Sequence, residues 1–305
     1  MAVADSSPQI LVIIGPTASG KSALAIELAR SMPGAEILSV DSMQVYRGMN
    51  IGTAKPSNAE RARVPHHLID MIDPNETFTV ATFVELAEAV IRDAQARQIP
   101  LIVTGGTPLY FKSLFEGIFE GPGADEAIRA RLSTEETAEL LARLQSVDPA
   151  AAERIHLNDR RRLIRALEVF ELTGQPISSF QTHWKSQQPK FDARWIGLTW
   201  ERDALNRRIN ARVKQMIAAG WVDETRGLVA KYGTLSKTAS EATGYAELLD
   251  HLAARISLDD AIEQIKIATR QLARRQMKWF RRFPNVTWMD GATDVNALRD
   301  AVLAT

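Results

Sequence analysis

The feature that most constrains this chain is the run Gly15, Pro16, Thr17, Ala18, Ser19, Gly20, Lys21 and Ser22, which fits the pattern G-x4-G-K-[ST] without a deviation. It follows the β-rich apolar run 10–14 and opens a segment of helical period at 21–31, the strand–loop–helix context that gives the motif its meaning. The glycines let backbone N–H groups converge on phosphate oxygens. The helix N-terminus adds its partial positive charge. Lys21 reaches terminal phosphates, and the Ser22 hydroxyl can ligate Mg2+. The loop does not identify its ligand, because any terminal diphosphate suits it and ATP is only the commonest. No other apolar strand ends in the Asp-Glu pair of a motor ATPase; the run 101–103 continues instead into Thr104, Gly105, Gly106 and Thr107.

Further strand-like runs lie at 37–40, 101–103, 195–199 and 286–288, separated by helical periods that include 80–97 and 258–282. Buried strands alternating with helices predict a parallel sheet covered on both faces. Turn formers at 118–124 and 186–190 bracket a stretch that reads as helix after helix. The expected fold class is therefore α/β, a P-loop-type parallel sheet with helices on both faces plus a small inserted all-helical domain. Residues 1–117 and 190–305 form the core and residues 118–189 the insertion. The 305 residues and 45% hydrophobic content suffice for a substantial core. Cysteine is absent, which excludes disulfides and thiolate zinc. The beginning lacks the layout of a signal peptide, and no apolar run approaches the roughly 18 residues of a spanning helix. A cytoplasmic protein with no membrane association is expected, and a monomer.

Asp41 ends the second strand, and in a parallel sheet the carboxyl ends of strands form the ligand crevice. It suits a Mg2+ outer-shell ligand, a general base or a cap for the following turn. His66 and His67 resemble metal ligands, but no further partners stand at zinc-like spacing, so a structural role is expected.

The stretch from Asp41 to Pro56 (Asp-Ser-Met-Gln-Val-Tyr-Arg-Gly-Met-Asn-Ile-Gly-Thr-Ala-Lys-Pro) resembles the signature of tRNA dimethylallyltransferases. Pro65-His-His-Leu-Ile-Asp70, Gly105-Gly-Thr-Pro-Leu-Tyr110, Arg165-Ala-Leu-Glu-Val-Phe170 and Thr269-Arg-Gln-Leu-Ala-Arg-Arg-Gln-Met-Lys-Trp-Phe-Arg281 look like further blocks of that family, in its order and over nearly the whole chain. The resemblance implies that dimethylallyl diphosphate lies in the loop of residues 15–22 with Mg2+, and that N6 of the adenosine just 3′ of the anticodon attacks its C1. It implies Asp41 as general base, with Thr107 and Arg212 acting on the leaving diphosphate. It also implies tRNA contacts from Asp41, Ser42, Met43, Gln44, Thr107, Arg129, Arg161, Arg162, Leu163, Ile164 and Arg165, the inserted domain clasping the anticodon stem. Thr107 equally suits a cap for a helix starting near Pro108, and Arg212 lies among charges that are ordinarily solvated. Glu241 puts an anion where the family pattern leads one to expect a neutral or basic residue, so it is not assigned to RNA.

Lys+Arg and Asp+Glu both number 37, and a neutral chain must segregate its charge to hold a polyanion. Residues 266–282 carry Lys266, Arg270, Arg274, Arg275, Lys278, Arg281 and Arg282 with no acid. At about 100° per residue, Ile265, Ala268, Leu272, Trp279 and Phe283 form an apolar face, with Lys266, Arg270, Arg274, Lys278 and Arg281 opposite. Residues 160–165 supply a second basic cluster; two such clusters are a footprint of nucleic-acid binding. The competing functions are a P-loop kinase of a small molecule or nucleotide, a transferase acting on free adenine nucleotides, and a non-catalytic RNA-binding protein.

Overall fold

The computed structural model describes residues 10–117, 121–180 and 189–304; parts of the turn-forming stretches 118–124 and 186–190 lie outside them. In chain order the elements are β1 (Ile10–Ile14), α1 (Lys21–Ser31), β2 (Glu36–Ser39), α2 (Asn58–Arg63), β3 (His66–His67), α3 (Val80–Ala96), β4 (Leu101–Thr104), α4 (Pro108–Glu116), α5 (Glu126–Leu132), α6 (Thr137–Val147), α7 (Pro149–Arg154), α8 (Arg160–Thr173), α9 (Ile177–Phe180), β5 (Ala193–Thr199), α10 (Arg202–Ala218), α11 (Trp221–Tyr232), α12 (Lys237–Ser240), α13 (Tyr245–Leu252), α14 (Leu258–Phe280), β6 (Val286–Asp290) and α15 (Val295–Leu303). The chain divides into two compact units, Met1–Leu114 with Phe191–Thr305, and Phe115–Lys190.

The first unit is built on a six-stranded sheet in the order β3-β2-β4-β1-β5-β6, every pairing parallel. Strands buried on both faces must be apolar throughout, and all five residues of β1 are buried. On one face Leu11, Ile13, Ile37, Ile102 and Ile196 pack against Leu24, Ala25, Leu28 and Ala29 of α1 and Leu298 and Val302 of α15. Each such leucine contributes about 1.5–3 kcal/mol when fully buried. Trp195 neighbours Ile196 and so faces the other way, where its ring lies 6.0 Å from Phe111 of α4; Phe111 in turn lies 5.9 Å from Phe280 of α14. Helices thus cover both faces. The chain leaves β1 at the point where strand order reverses, with β4 on one side and β5 on the other, which is where open parallel sheets bind ligands.

The two-residue strand β3 carries no apolar pattern, and the sequence gives no sign of it. His67 Nε2 lies 2.6 Å from Glu36 Oε2, and Arg97 grips the same carboxylate at 2.7 and 2.9 Å. Those bonds, Arg97 foremost, lower the Glu36 pKa to about 2. His66 Nδ1 lies 2.7 Å from the Val64 carbonyl.

The second unit is helical. Leu132, Leu140, Leu144, Leu163, Ala166, Leu167 and Val169 form its core. Asp148, 1% exposed, caps α7 through Ala151 N–H and holds Ser178 N–H of α9 with its other oxygen. No helix among the described residues is long and apolar enough to cross a membrane.

Candidate active site

The phosphate loop bridges β1 and α1. Gly20 stands at the helix N-cap with φ of 95°, a left-handed conformation that favours glycine, and no side chain caps the first N–H groups of α1. Those donors and the dipole are left for an anion. The loop's outward groups are braced from outside. Trp200 Nε1 donates to the Ser19 carbonyl at 3.0 Å, and Arg208 Nε donates to the Ala18 carbonyl at 3.0 Å. The Arg208 guanidinium also stacks 4.3 Å above the Trp200 ring.

Two turns at the carboxyl ends of β2 and β4 meet beside this loop. Val40 N–H donates to the Thr104 carbonyl and Thr107 N–H to the Val40 carbonyl, at 2.8 and 3.2 Å. The approach requires glycine at 105, since a Cβ there would lie 2.0 Å from the Val40 oxygen. The Thr107 hydroxyl is turned to Ser42, accepting from its N–H at 3.0 Å and donating to its Oγ at 3.2 Å. Asp41 is fixed by one oxygen. Its Oδ1 accepts from the N–H groups of Met43 and Gln44 at 2.9 and 3.3 Å, an Asx turn. No hydrogen bond from the described residues reaches Oδ2. Gln44 is held through Ser39 Oγ, which donates to its Oε1 at 2.9 Å.

Cations complete the cluster. Burial, then the neighbouring Arg212, lower the Lys21 pKa to about 8, with Asp41 opposing. Burial also lowers the pKa of Arg212, with Asp41 opposing and Arg208 adding to it, although a guanidinium stays charged regardless. Arg212 therefore lies within electrostatic reach of Lys21, Asp41 and Arg208, and Lys21 within reach of Asp41. The structure brings together Asp41, Thr107, Arg212 and the phosphate loop, from sequence positions almost 200 residues apart. It also supplies three residues that motif reading passes over, namely Trp200, Arg208 and Gln276. Gln276 had a legible signal, being an uncharged polar residue spaced four from Leu272 and four from Phe280 on the buried side of α14.

In the helical unit, Arg161 and Arg162 are exposed at the start of α8. Leu163 departs from the expected tRNA-facing run: its side chain is 0% exposed in the core, because a packed helix must bury one residue in every three or four. Ile164 is half-buried against the same core. Arg129 and Arg165 converge on Glu168, 0% exposed, at 2.9 and 2.6 Å. Arg165 also donates to the carbonyls of Pro122 and Gly123. A correction applies to α14 too. Its buried residues are Ala261, Ile265, Lys266, Ala273, Gln276 and Phe280. Lys266 is 8% exposed and paired with Glu263 at 2.6 Å, so it leaves the basic stripe, while Arg274, Arg275, Lys278, Arg281 and Arg282 are exposed. The helix turns because Lys266 can lay its stem over apolar surface while an acid three residues earlier takes its charge.

Residues 44–283 match the family model described as IPP transferase; the match begins beyond the phosphate loop and Asp41, which stand on the geometry above. The chain is 47% identical over 290 residues to a tRNA dimethylallyltransferase of Geobacter metallireducens, covering 94% of each chain. It is 46% identical over 288 residues to the tRNA dimethylallyltransferase of Geobacillus kaustophilus, covering 92% of this chain and 90% of that one. Among solved structures it is similar to the tRNA isopentenylpyrophosphate transferase of Bacillus halodurans, with a TM-score of 0.72, 38% identity and coverage of 97% and 96%. It is also similar to a eukaryotic dimethylallyltransferase acting on tRNA, with a TM-score of 0.83, 30% identity and coverage of 97% of this chain and 78% of the other.

Proposed function

Because this chain belongs to the IPP transferase family and its curated relatives include tRNA dimethylallyltransferases, we propose that it moves the dimethylallyl group of dimethylallyl diphosphate onto N6 of the adenosine 3′-adjacent to the anticodon of tRNA. Diphosphate is the leaving group. The observation that carries the reading is the disposition of Asp41, with one oxygen locked by two backbone amides and the other open beside the cations of a phosphate loop. A kinase could use the loop, the cations and an open carboxylate, but it gives the Asp41–Pro56 segment and the two basic clusters no task.

In the reaction, the diphosphate lies in the loop of residues 15–22 against the uncapped N-terminus of α1. The C1–O bond breaks as N6 bonds to C1. Charge grows on the leaving oxygens, where Lys21, Arg212 and the loop N–H groups are already in place, and preset donors lower the barrier without reorganising. Asp41 Oδ2 takes the N6 proton, which makes a poor amine nucleophile competent. Thr107, turned to Ser42, holds the Asp41 turn against the 105–107 turn; to act on the diphosphate its hydroxyl hydrogen would rotate away from Ser42 Oγ while the bond from Ser42 N–H is kept. The base must leave its stack to reach Asp41. Mg2+ suits a phosphate loop that ends in a hydroxyl residue, since it keeps several waters and binds through one or two protein oxygens plus phosphate. Ser22 would hold it, and it would neutralise charge on the diphosphate. Arg129, Arg161, Arg162 and the exposed basic side of α14 are the proposed tRNA contacts.

The test supplies purified protein with bulk tRNA and prenyl-labelled dimethylallyl diphosphate, and in parallel with γ-labelled ATP and with free AMP. Label entering tRNA with release of diphosphate is expected. Phosphoryl transfer from ATP to a small molecule, or prenylation of AMP alone, would replace the proposal.

A further inference from the structure

Helix α14 has one uncharged polar side chain on its buried face, Gln276, 5% exposed. Its Oε1 accepts from the Thr17 N–H at 2.8 Å, and its Nε2 donates to the Gly106 carbonyl at 2.6 Å. These partners are 259 and 170 residues away in sequence. The amide orientation is not arbitrary, because a backbone N–H can only donate and a carbonyl only accept. A Cβ built on Gly106 would lie 3.0 Å from Gln276 Nε2 and 3.1 Å from Asp41 Oδ2. Gln276, the 105–107 turn and the open oxygen of Asp41 are therefore neighbouring layers with no side chain between them. Trp200 and Arg208 brace the phosphate loop alone; Gln276 ties it to the turn that carries Thr107.

We infer that Gln276 is a positioning residue for prenyl transfer, a strut that fixes the distance between the leaving diphosphate in the phosphate loop and the base Asp41 behind the 105–107 turn. The inference rests on the transferase reading above. In-line displacement needs base, nucleophile and leaving group in register, and a misplacement of about 1 Å costs on the order of a hundredfold in rate. A primary amide is suited to the strut because it donates and accepts at one end without charge. A charged side chain there would compete with Asp41 for Lys21 and Arg212.

Two variants separate positioning from packing. Gln276→Met keeps length and apolar volume but neither hydrogen bond. It should lower kcat for prenyl transfer by about ten- to a hundredfold, leave the KM for tRNA within threefold of wild type, and retain a cooperative thermal transition. Gln276→Glu keeps the acceptor for Thr17 but, ionised, sets a carboxylate against the Gly106 carbonyl. Its rate relative to wild type should rise as pH falls from about 8 to about 5, because the protonated acid donates again. A Gln276→Met enzyme within threefold of wild-type kcat, or a folded Gln276→Glu enzyme whose ratio to wild type is flat with pH, would overturn the inference. Should Gln276→Met not fold, the pH series of Gln276→Glu decides alone. Wild type run alongside keeps the two questions apart: no transfer by wild type sinks the functional reading, whereas active wild type with an unaffected variant sinks only the strut.

Discussion

Asp41 carries its two roles on separate oxygens, and that separation makes it testable. Asparagine can keep the Oδ1 bonds to Met43 and Gln44 but cannot take a proton at neutral pH. Asp41→Asn should therefore preserve the turn and the melting temperature while the single-turnover rate falls about 10²–10⁴-fold; a variant within threefold of wild type would remove the base from the mechanism. Lys21 gives a pH dependence. With its pKa near 8, the empty site holds a charged ammonium below that pH and a neutral amine above it. A diphosphate binds the charged form, so affinity should be constant below about pH 8 and weaken above it, by at most tenfold per pH unit for one proton. Calorimetry in two buffers should show proton uptake on binding near pH 8, absent in Lys21→Ala. The linkage to folding has the opposite direction. The unfolded lysine keeps its proton to about 10.4, so between about 8 and that value the unfolded chain binds more protons, and this residue's contribution to stability rises with pH. The sequence discloses Lys21 by motif and Asp41 by position at a strand end. It cannot disclose which Asp41 oxygen is open, because that depends on a turn only coordinates define.

Among the elements, the two turns after β2 and β4 are as decisive as the phosphate loop. Gly105→Ala would force a Cβ to within 2.0 Å of the Val40 oxygen, a backbone atom that cannot step aside. The turns must part, carrying Thr107 away from Ser42, and kcat should fall at least about tenfold with the secondary structure intact. Unchanged turnover would mean that this contact is not what positions Asp41. In the helical unit, Glu168 plays the corresponding part. Burial alone would raise its pKa, but bonds from Arg165, the Asp125 amide and Arg129 outweigh burial and hold it below the ordinary value. A lowered carboxylate contributes stability that is present above its unfolded value and lost as pH falls through the folded one. Glu168→Gln should cost about 3 kcal/mol, the low end for a broken buried pair because both guanidiniums keep some solvent. The loss should fade in acid, where wild type also gives up the charge; a difference in melting temperature independent of pH would contradict this. Strands and long helices were legible because periodicity is a local property. The rotation of α14 was not, since Lys266 counts as polar in any pattern yet is buried once Glu263 neutralises it.

The whole molecule meets its proposed polyanionic substrate with zero net charge, so local clusters have to supply the attraction. Replacing Arg274, Arg275 and Lys278 by alanine should flatten the slope of log tRNA affinity against log salt by roughly 0.7–0.9 per lost phosphate contact. The same measurement on Arg161→Ala with Arg162→Ala reads the helical unit's share, and an unchanged slope in both would leave the basic runs as solvated surface. Fold class and the order of the strands' chemistry were readable from alternation and motif alone. What sequence could not supply is the convergence of α10 and α14 on a loop near the beginning of the chain, because no spacing rule links residues so far apart. That convergence also sets a timetable. The phosphate loop leaves the ribosome well before Gln276, the partner of Thr17, which follows 259 residues later. At about 5–20 residues per second, the nascent chain spends on the order of ten seconds to a minute with its motif complete and its loop unheld. Competence for transfer must wait for α14, so a chain cut short before that helix carries the motif without the centre it serves.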